Sequence, residues 1–549
     1  MPNVSAHVAL TLAQHLDHVF GVMGNGNAYF LDALERATNA SYTPVRHEAG
    51  AVVAADAHYR ASSRIAAATA TYGAGFTNTL TALAEAAQAH IPLVLVTGDE
   101  PTSGPRPWDV DQIALAAGVG ARTYTVGRTD AAATTVIALE HALTYRVPVV
   151  LAIPYDVARR DVGVVPQVPG PQLPAPLQAS EFTATAATRV AGLLAEAQRP
   201  LLLAGRGAWL AGAGGVLSAL AAATGALTVT TALGRGIFEA AEYDLGVAGG
   251  FGAEGAMELV RQADVAVVFG ASLNQFTMRF GELFAPTTQV IQVDTAAAAT
   301  HPHVGSYLRG DVAVLAGLLL DEVRAVGAAS SGWRESVDVA AARVLPPGDG
   351  LAADGRLDPR SLGTRIAELL PADRVVVTDG GHFIGWTNMY WPVESPDRMV
   401  MVGTAYQAIG LGFPSVAGAA LARPESTIVL SSGDGGGLMA LADLETAVRV
   451  AGGRGMAVVW NDAAYGAEVN LYGLMGLAQE PMLIPEVDFA TLAAAVGAEG
   501  VTVNTLDDLD RLGEWAATPA DQRKFLLLDC RISTSVIAPY QQEVIRINR

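Results

Sequence analysis

Two acidic residues follow successive apolar segments in the C-terminal part of the chain. Asp434 lies in GDGGG, residues 433–437, directly after the strand-like segment STIVLSS, and Asp462 follows the strand-like segment MAVVWN. The spacing of 28 positions, from 434 to 462, is that of one strand–helix–strand unit. Because a right-handed crossover returns to the same edge of a parallel sheet, both carboxylates are expected there, on neighbouring or near-neighbouring strands. Such a pair suits Mg²⁺, which binds few protein oxygens and completes its shell with phosphates.

The glycine run 433–437 suggests what the carboxylates accompany. Glycine lets the backbone approach a ligand closely, a helix N-terminus favours an anion, and ligands of open α/β sheets bind beyond the carboxyl ends of strands. The run lacks the Gly-Lys-Ser/Thr of a P-loop and the spacing of a dinucleotide fingerprint. Taken separately, the run is better explained as a tight turn and Asp462 as a surface residue. Together, one crossover apart, they favour a metal–phosphate site.

The elements around these residues alternate between short β-branched runs and longer Ala- and Leu-rich helical patterns. In the N-terminal part, TPVRH at 43–47 is a predicted strand and 48–62 a predicted helix, and a further helix is predicted over 76–90. A helix over 438–453 is predicted after the glycine run. This alternation predicts an α/β fold of three doubly wound domains with mostly parallel sheets.

Turn-rich segments divide the chain of 549 residues, a length that suits about three domains of roughly 100–200 residues each. A proline-dense stretch around 164–176 favours an extended, semi-rigid connection. We therefore predict domains at 1–165, 181–330 and 361–549, joined by a Pro-rich linker at 166–180 and a second linker at 331–360.

Composition restricts the function further. The net charge of −20 argues against general nucleic-acid binding, and 51% hydrophobic with 16% charged residues suits a well-buried globular protein. The single cysteine, Cys530, excludes an intramolecular disulfide. The N-terminal segment is a poor signal peptide, and the longest uncharged run, Ile65–Ala84, contains Gly, Asn and Thr. A cytoplasmic protein without membrane or nucleic-acid partners is expected.

These motifs resemble those of thiamine-diphosphate enzymes of the acetolactate synthase, benzoylformate decarboxylase and benzaldehyde lyase type. Their signature is GDG followed, after one crossover, by paired Asn or Asn-Asp, here 433–435 and 461–462. Further segments stand in the family's order: RHEAGAVVAADAHYR at 46–60, YGAGFTN at 72–78, TDGGHF at 378–383 and QAIGLGFPSVAGA at 407–419. The resemblance covers nearly the whole chain. It implies pyrimidine-binding, central and diphosphate-binding domains, in that order.

The resemblance implies thiamine diphosphate and Mg²⁺ as cofactors. Asp434, Asp462 and the carbonyl of Ala464 would hold Mg²⁺. The residues expected against the organic cofactor are Gly73, His382, Phe383, Gln407, Ile409, Gly433, Gly435, Gly436 and Tyr465. Of these, Gln407 and Ile409 would offer carbonyls to the pyrimidine, with Ile409 also wedged beneath the thiazolium, and the glycines would face the diphosphate. FAD is not predicted, because the two GRG segments of the central block are equally well ordinary strand-to-helix turns.

Three residues are expected to act in catalysis. The resemblance implies that Glu48 donates a hydrogen bond to the aminopyrimidine, which requires a dry, apolar site that keeps it protonated. Taken alone, Glu48 is equally a first-turn residue that complements a helix dipole. Asn25 and Gln112 stand where relatives have polar substrate contacts; their alternatives are a left-handed turn residue and a helix-start residue. Tyr465 and Glu468 are expected to shape the pocket.

The leading function is a carbon–carbon lyase or carboligase acting on 2-oxo acids or 2-hydroxy ketones, similar to acetolactate synthase. A 2-oxo acid decarboxylase or a cyclic-diketone hydrolase is the alternative, and a non-catalytic cofactor-binding relative is a different class. The chain shows no clear counterpart of the tryptophan and arginine that select the second oxo acid in acetolactate synthases. The family builds each site between two subunits, which implies a homodimer at least, and a homotetramer is expected.

Overall fold

A computed structural model describes residues 2–327 and 329–548. Residue 1 of the predicted N-terminal domain, residue 328 of the predicted central domain and residue 549 of the predicted C-terminal domain lie outside the described residues. The described residues form three six-stranded sheets, each flanked by helices, and every pair of neighbouring strands is parallel. The predicted α/β class with three doubly wound domains is confirmed.

The first domain has the strand order β2-β1-β3-β4-β6-β5. Its strands are β1 His18–Gly21, β2 Ser41–Pro44, β3 Ala67–Ala70, β4 Leu93–Asp99, β5 Arg122–Thr125 and β6 Pro148–Pro154. Its helices are α1 Val4–Leu12, α2 Ala28–Ala37, α3 Glu48–Ser62, α4 Ala74–Thr77, α5 Leu80–Gln88, α6 Gln112–Gly118 and α7 Ala131–Tyr145.

The second domain has the order β12-β11-β10-β7-β8-β9, the arrangement of a dinucleotide-binding fold. Its strands are β7 Pro200–Ala204, β8 Leu227–Thr230, β9 Asp244–Val247, β10 Val265–Phe269, β11 Gln289–Asp294 and β12 Val304–Arg309. Its helices are α8 Glu181–Glu196, α9 Arg206–Leu210, α10 Gly214–Thr224, α11 Glu254–Gln262 and α12 Val312–Ala325, and the short α13 Trp333–Ser336 and α14 Val339–Ala342 follow.

The third domain repeats the strand order of the first, as β14-β13-β15-β16-β18-β17. Its strands are β13 Val375–Thr378, β14 Met399–Met401, β15 Ile428–Gly433, β16 Gly455–Asn461, β17 Glu499–Val503 and β18 Leu526–Arg531. Its helices are α15 Pro359–Leu369, α16 Ile384–Tyr390, α17 Gly412–Ala422, α18 Asp434–Met439, α19 Leu444–Ala451, α20 Gly466–Glu468, α21 Phe489–Ala495, α22 Asp510–Ala517 and α23 Pro539–Asn548.

The first and third domains share one hydrophobic core, in which α3 packs along α17. Gly50 lies against Pro414 near the starts of the two helices, and Gly418 lies against the carbonyl of Ala54 farther along. The two helices therefore point the same way. Because α3 starts beyond the carboxyl end of β2 and α17 runs towards the start of β15, the carboxyl edges of both sheets face the same side of the chain.

Two predicted helices are broken in the structure. The helix expected over 438–453 is divided among α18, a 3₁₀ turn at Leu441–Asp443 and α19. The break occurs because Asp443 turns inward, where its carboxylate accepts the backbone N–H of Arg46 and the hydroxyl of Thr446, each at 2.8 Å. The helix expected over 76–90 is interrupted between α4 and α5. Among the described residues, no helix is both long and apolar enough to cross a bilayer.

Candidate active site

Asp434 and Asp462 stand side by side at the carboxyl edge of the third sheet. Strands β15 and β16 are neighbours in register, with Gly433 opposite Trp460, and each aspartate directly follows its strand. Both aspartates are buried, with 4% exposure each. One oxygen of Asp434 accepts the N–H of Gly435 at 2.9 Å. Among the described residues, nothing donates to the other oxygen of Asp434 or to Oδ1 of Asp462, and Oδ2 of Asp462 faces only the His382 ring.

Two buried carboxylate oxygens without any donor, and a third that faces a single imidazole, call for a cation. Burial, together with the neighbouring charge of Asp462, raises the pKa of Asp434 to about 7. The described residues contain no group of three or more His, Cys, Asp or Glu side chains placed to hold a metal. Two carboxylates with open positions fit Mg²⁺, which keeps ligand places for water and phosphate oxygens.

The loop after Asp462 is bent sharply and then pinned. Ala463 adopts the left-handed conformation with φ 58°. Ala464, whose carbonyl is the third expected Mg²⁺ ligand, is buried and lies in an antiparallel bridge opposite Leu483. The hydrogen bond from Tyr465 N–H to the carbonyl of Met482, at 2.8 Å, holds the bridge. The chain therefore leaves the sheet edge in a fixed direction beside the aspartates.

His382 contacts the aspartate pair from the loop after β13. Its Nε2 lies 3.2 Å from an Asp462 oxygen, within ion-pair distance, and its side chain is 12% exposed. Burial lowers the pKa of His382, but the hydrogen bond and charge of Asp462, together with Asp434 and Glu468, outweigh burial and raise it. His382, expected to contact a diphosphate through its backbone, therefore places its imidazole on Asp462.

Side chains of neighbouring segments pack closely against the glycine run. A β-carbon at Gly435 would lie 2.7 Å from the ring of Tyr465, and one at Gly436 would lie 2.6 Å from an oxygen of Asp379. Phe383 is 1% exposed and packs beneath Gly433 as a core residue. Both glycines are buried, and any larger residue at 435 or 436 would have to displace the Tyr465 ring or the Asp379 carboxylate.

Asp379, which the sequence interpretation missed, organises this edge. It is fully buried, and its carboxylate accepts the N–H groups of Gly380, Gly410 and Leu411 at 2.8–3.1 Å and the hydroxyl of Ser432 at 3.2 Å. Burial raises the pKa of Asp379 despite these donors. Its position could have indicated a site residue, because Asp379 directly follows β13 as Asp434 and Asp462 directly follow their own strands.

The segment 404–411 carries two of the predicted cofactor residues. Gln407 is exposed and has φ 59°, and Ile409 is partly exposed, with a side-chain carbon 3.1 Å from where a β-carbon of Gly380 would stand. The backbone of Gly410 passes next to Gly436 of the glycine run. The structure therefore brings this segment and the aspartate pair to one edge.

The other predicted residues lie at the carboxyl edge of the first sheet. Glu48 begins α3 and accepts a hydrogen bond of 2.9 Å from Asn78. Gln112 is 3% exposed; it accepts the N–H of Gly73 at 2.8 Å and donates to the carbonyl of Gly98 at 2.9 Å. Because its amide is fully engaged, Gln112 holds the left-handed Gly73 turn in place, which supports a positioning role for this residue.

Asn25 lies in an exposed turn after β1 and donates to the Tyr72 hydroxyl at 2.9 Å. It is absent from the described non-glycine residues with positive φ, so a left-handed turn does not explain it. The guanidinium of Arg106 stacks 4.1 Å from the Tyr72 ring and 4.7 Å from the Tyr155 ring, and it pairs with Asp109 at 2.7 Å. The Asn25 amide, bonded to the Tyr72 hydroxyl, is thus exposed to solvent beside Gly73.

The predicted residues form two groups within one chain. Asp434, Asp462, His382 and Gln407 lie at the third sheet, whereas Glu48 lies at the first. In one chain Glu48 is partly exposed and does not occupy the dry site that a protonated glutamate requires.

Models of three protein domains match consecutive parts of the chain. The thiamine pyrophosphate enzyme N-terminal TPP binding domain matches residues 2–117, the central domain residues 187–322, and the C-terminal TPP binding domain residues 379–530. Glu48 lies within the first matched range, and Asp434 and Asp462 lie within the third.

Curated relatives match over most of their length. The acetolactate synthase large subunit of Parasynechococcus marenigrum (strain WH8102) is 28% identical, over 90% of this chain and 82% of its own. Sulfoacetaldehyde acetyltransferase of Castellaniella defragrans is 26% identical, over 98% and 94%. The acetolactate synthase isozyme 2 large subunit of Escherichia coli (strain K12) is 27% identical, over 91% and 90%. With all three domains present in order, this chain belongs to the thiamine pyrophosphate enzymes and is a thiamine-diphosphate-dependent enzyme.

Proposed function

We propose that this protein is a thiamine-diphosphate- and Mg²⁺-dependent carbon–carbon lyase or carboligase acting on 2-oxo acids or 2-hydroxy ketones. The observation that carries the proposal is the pair Asp434 and Asp462, buried side by side beside the glycine run, with two oxygens that lack any donor and a third that faces only His382. Relatives named acetolactate synthase and sulfoacetaldehyde acetyltransferase support chemistry on small carbonyl compounds.

The residues present fit the work that this chemistry requires. When bound, thiamine diphosphate supplies a carbanion that attacks carbonyls and an electron sink that stabilises the product of that attack. Asp434 and Asp462, with the Ala464 carbonyl, would hold Mg²⁺. The backbone N–H groups of Gly435 and Gly436 would face the phosphate oxygens, as expected of a glycine run at the carboxyl end of a strand in an open α/β sheet. Tyr465 covers the glycine run and excludes water from that side.

Glu48 is proposed to act as the proton donor to the aminopyrimidine. Its bond to Asn78 fixes one carboxyl oxygen and leaves the other directed past Gly75, whose β-carbon position lies 3.2 Å away. A glutamate keeps its proton near neutral pH only when its surroundings exclude water. Since one chain leaves Glu48 partly exposed, a second subunit has to cover it.

A homodimer at least, with a tetramer as the expected assembly, is therefore part of the proposal. Both carboxyl edges carry exposed apolar side chains: Met23 and Trp108 at the first sheet, Met439 and Leu483 at the third. The two edges face the same side, so a twofold axis can set each first edge against the partner's third edge. That arrangement buries both apolar groups and gives Glu48 the dry surroundings that it needs.

The surroundings of Arg106 indicate which kind of second, acceptor substrate the site would bind. Its guanidinium is paired with Asp109 and covered by Tyr72 and Tyr155. Arg106 therefore offers no unpaired charge to the carboxylate of an acceptor 2-oxo acid. This supports a neutral aldehyde or ketone at the first-sheet edge, as in a lyase of 2-hydroxy ketones or a carboligase with an aldehyde acceptor.

The test begins with the cofactor. Calorimetry should show saturable thiamine diphosphate binding that requires Mg²⁺, and proton NMR then follows pyruvate alone, pyruvate with an aldehyde, and acetoin. A new 2-hydroxy ketone, or cleavage of acetoin, supports the lyase or carboligase. Acetaldehyde alone indicates a decarboxylase, and ring opening of cyclohexane-1,2-dione indicates a cyclic-diketone hydrolase. Cofactor binding with no turnover of any of these substrates contradicts the proposal and favours the non-catalytic relative.

A further inference from the structure

The segment 404–411 is anchored at both ends, and the two anchors come from different domains. At its C-terminal end, the N–H groups of Gly410 and Leu411 donate to Asp379 of the third domain. At its N-terminal end, the N–H of Tyr406 donates to Glu85 of the first domain at 2.7 Å. Gln407, Ala408 and Ile409 lie between these anchors, so both anchors set where their backbone runs.

Glu85, the anchor from the first domain, is an acidic residue in a buried position. It lies near the end of α5 and is 1% exposed, although it carries a charge. One carboxylate oxygen accepts Tyr406 N–H; the other accepts Ala405 N–H at 3.4 Å and Arg60 Nη2 at 3.1 Å. A buried carboxylate persists only when its oxygens are paired, and here backbone groups of another domain supply part of the pairing.

Arg60 and Asp56 complete the buried cluster. Arg60 pairs with Asp56 at 2.5 Å, and its Nη1 donates to the carbonyl of Met401 at 2.6 Å, so it also bridges the first and third domains. The side chains of Arg60 and Asp56 are 5% and 1% exposed. The Arg60 guanidinium faces the carboxylates of both Asp56 and Glu85, and N–H groups of the segment supply further donors to Glu85.

We propose that Glu85 is a positioning residue that sets the path of Gln407–Ile409 from the neighbouring domain and thereby controls the affinity for the ring end of the cofactor. The inference rests on the proposed function, in which this stretch offers backbone carbonyls and the Ile409 side chain to the organic rings. The diphosphate end is held elsewhere, by Asp434, Asp462 and the glycine run. Loss of Glu85 should therefore act on one end of the cofactor only.

The chain offers a matched control for this substitution. Arg46 and Glu445 form a second ion pair between the same two domains, with Nε 2.7 Å from the carboxylate. Their side chains are 46% and 33% exposed, and the contacts of Glu445 are with Arg46 and Arg449, none of them in segment 404–411. Glu445→Gln thus weakens an interdomain pair without releasing the anchor.

The experiment measures the dissociation constants of thiamine diphosphate and of inorganic pyrophosphate, each with Mg²⁺, by calorimetry on the full chain. Glu85→Gln keeps the shape, but its amide has a single acceptor oxygen, so it cannot accept both the Tyr406 N–H and the Arg60 guanidinium as the carboxylate does. It should raise the thiamine diphosphate constant about tenfold or more while the pyrophosphate constant stays within about twofold. Glu445→Gln should change neither constant by more than about twofold.

Glu85→Asp serves if Glu85→Gln does not fold, because it keeps the charge beside Arg60 but is too short to reach Tyr406. The same selective loss is expected. An unchanged thiamine diphosphate constant in these variants, or an equal loss for both ligands, would overturn the positioning role alone. A wild-type protein that binds pyrophosphate but not thiamine diphosphate would instead overturn the proposed cofactor and this inference together.

Discussion

Glu48 is the residue whose removal tests catalysis most directly. In Glu48→Gln the amide can still bond to Asn78 but cannot exchange a proton with the aminopyrimidine. Turnover should fall by about 10²–10⁴-fold, the usual contribution of a positioned acid or base, while thiamine diphosphate still binds. Product formation by NMR and cofactor binding by calorimetry are measured together. Glu100→Gln, which changes a carboxylate at the same sheet edge, is the control, and full turnover in Glu48→Gln would exclude the proposed role.

Asp434 provides the corresponding test of the metal. Asp434→Asn keeps one oxygen but removes a charge that Mg²⁺ needs, so the Mg²⁺ concentration for half-maximal cofactor binding should rise about tenfold or more. Asp443→Asn is matched in burial, 3% against 4%, but its carboxylate serves Arg46 N–H and Thr446. It should lower the melting temperature and leave the Mg²⁺ requirement unchanged. If both variants show the same Mg²⁺ requirement as the wild type, Asp434 is not a ligand.

The sequence spacing between motifs predicted the site residues that directly follow strands. It could not predict the residues whose role depends on hydrogen bonds to distant parts of the chain. Asp434 and Asp462 could be placed because one crossover separates them. Gln112 could be found only by resemblance, because its hydrogen bonds reach Gly73 and Gly98, 39 and 14 positions away. Asp379 stands at an equally informative position, but nothing local shows that its donors come from residues 410 and 411.

At the scale of elements, the segment 404–411 depends on Asp379 for its connection to the sheet. In Asp379→Ala the N–H groups of Gly410 and Leu411 lose the carboxylate oxygen that accepts them, which leaves buried donors unpaired and costs about 2–4 kcal/mol. We expect a lower melting temperature by calorimetry and faster proteolytic cleavage within the segment. Ser432→Ala removes one donor and should cost only about 1 kcal/mol. Equal effects in the two variants would show that the carboxylate does not anchor the segment.

Helical periodicity predicted α3 over residues 48–62, since its small and apolar residues suit a helix buried on nearly all sides. The same method joined α18 and α19 into one helix. Their break is caused by Asp443, which leaves the helical register to reach Arg46 N–H in another domain. The predicted strand at 43–47 lies at Ser41–Pro44, because the chain needs Val45–His47 to enter α3. Local pattern thus locates elements, and interdomain contacts decide their ends.

At the scale of the whole molecule, the proposed dimer divides each site between two chains, and mixing can test it. At a Mg²⁺ concentration that just saturates the wild type, Glu48→Gln and Asp434→Asn should each be nearly inactive as homodimers. In a mixed dimer one site carries both substitutions and the other carries neither, so refolding or co-expressing equal amounts should restore up to about a quarter of wild-type activity. Activity is measured per total chain, with an affinity tag on one variant to isolate the mixed species. If both groups served the same chain's site, every site in the mixture would lack one of them, and the isolated mixed dimer would be as inactive as its parents.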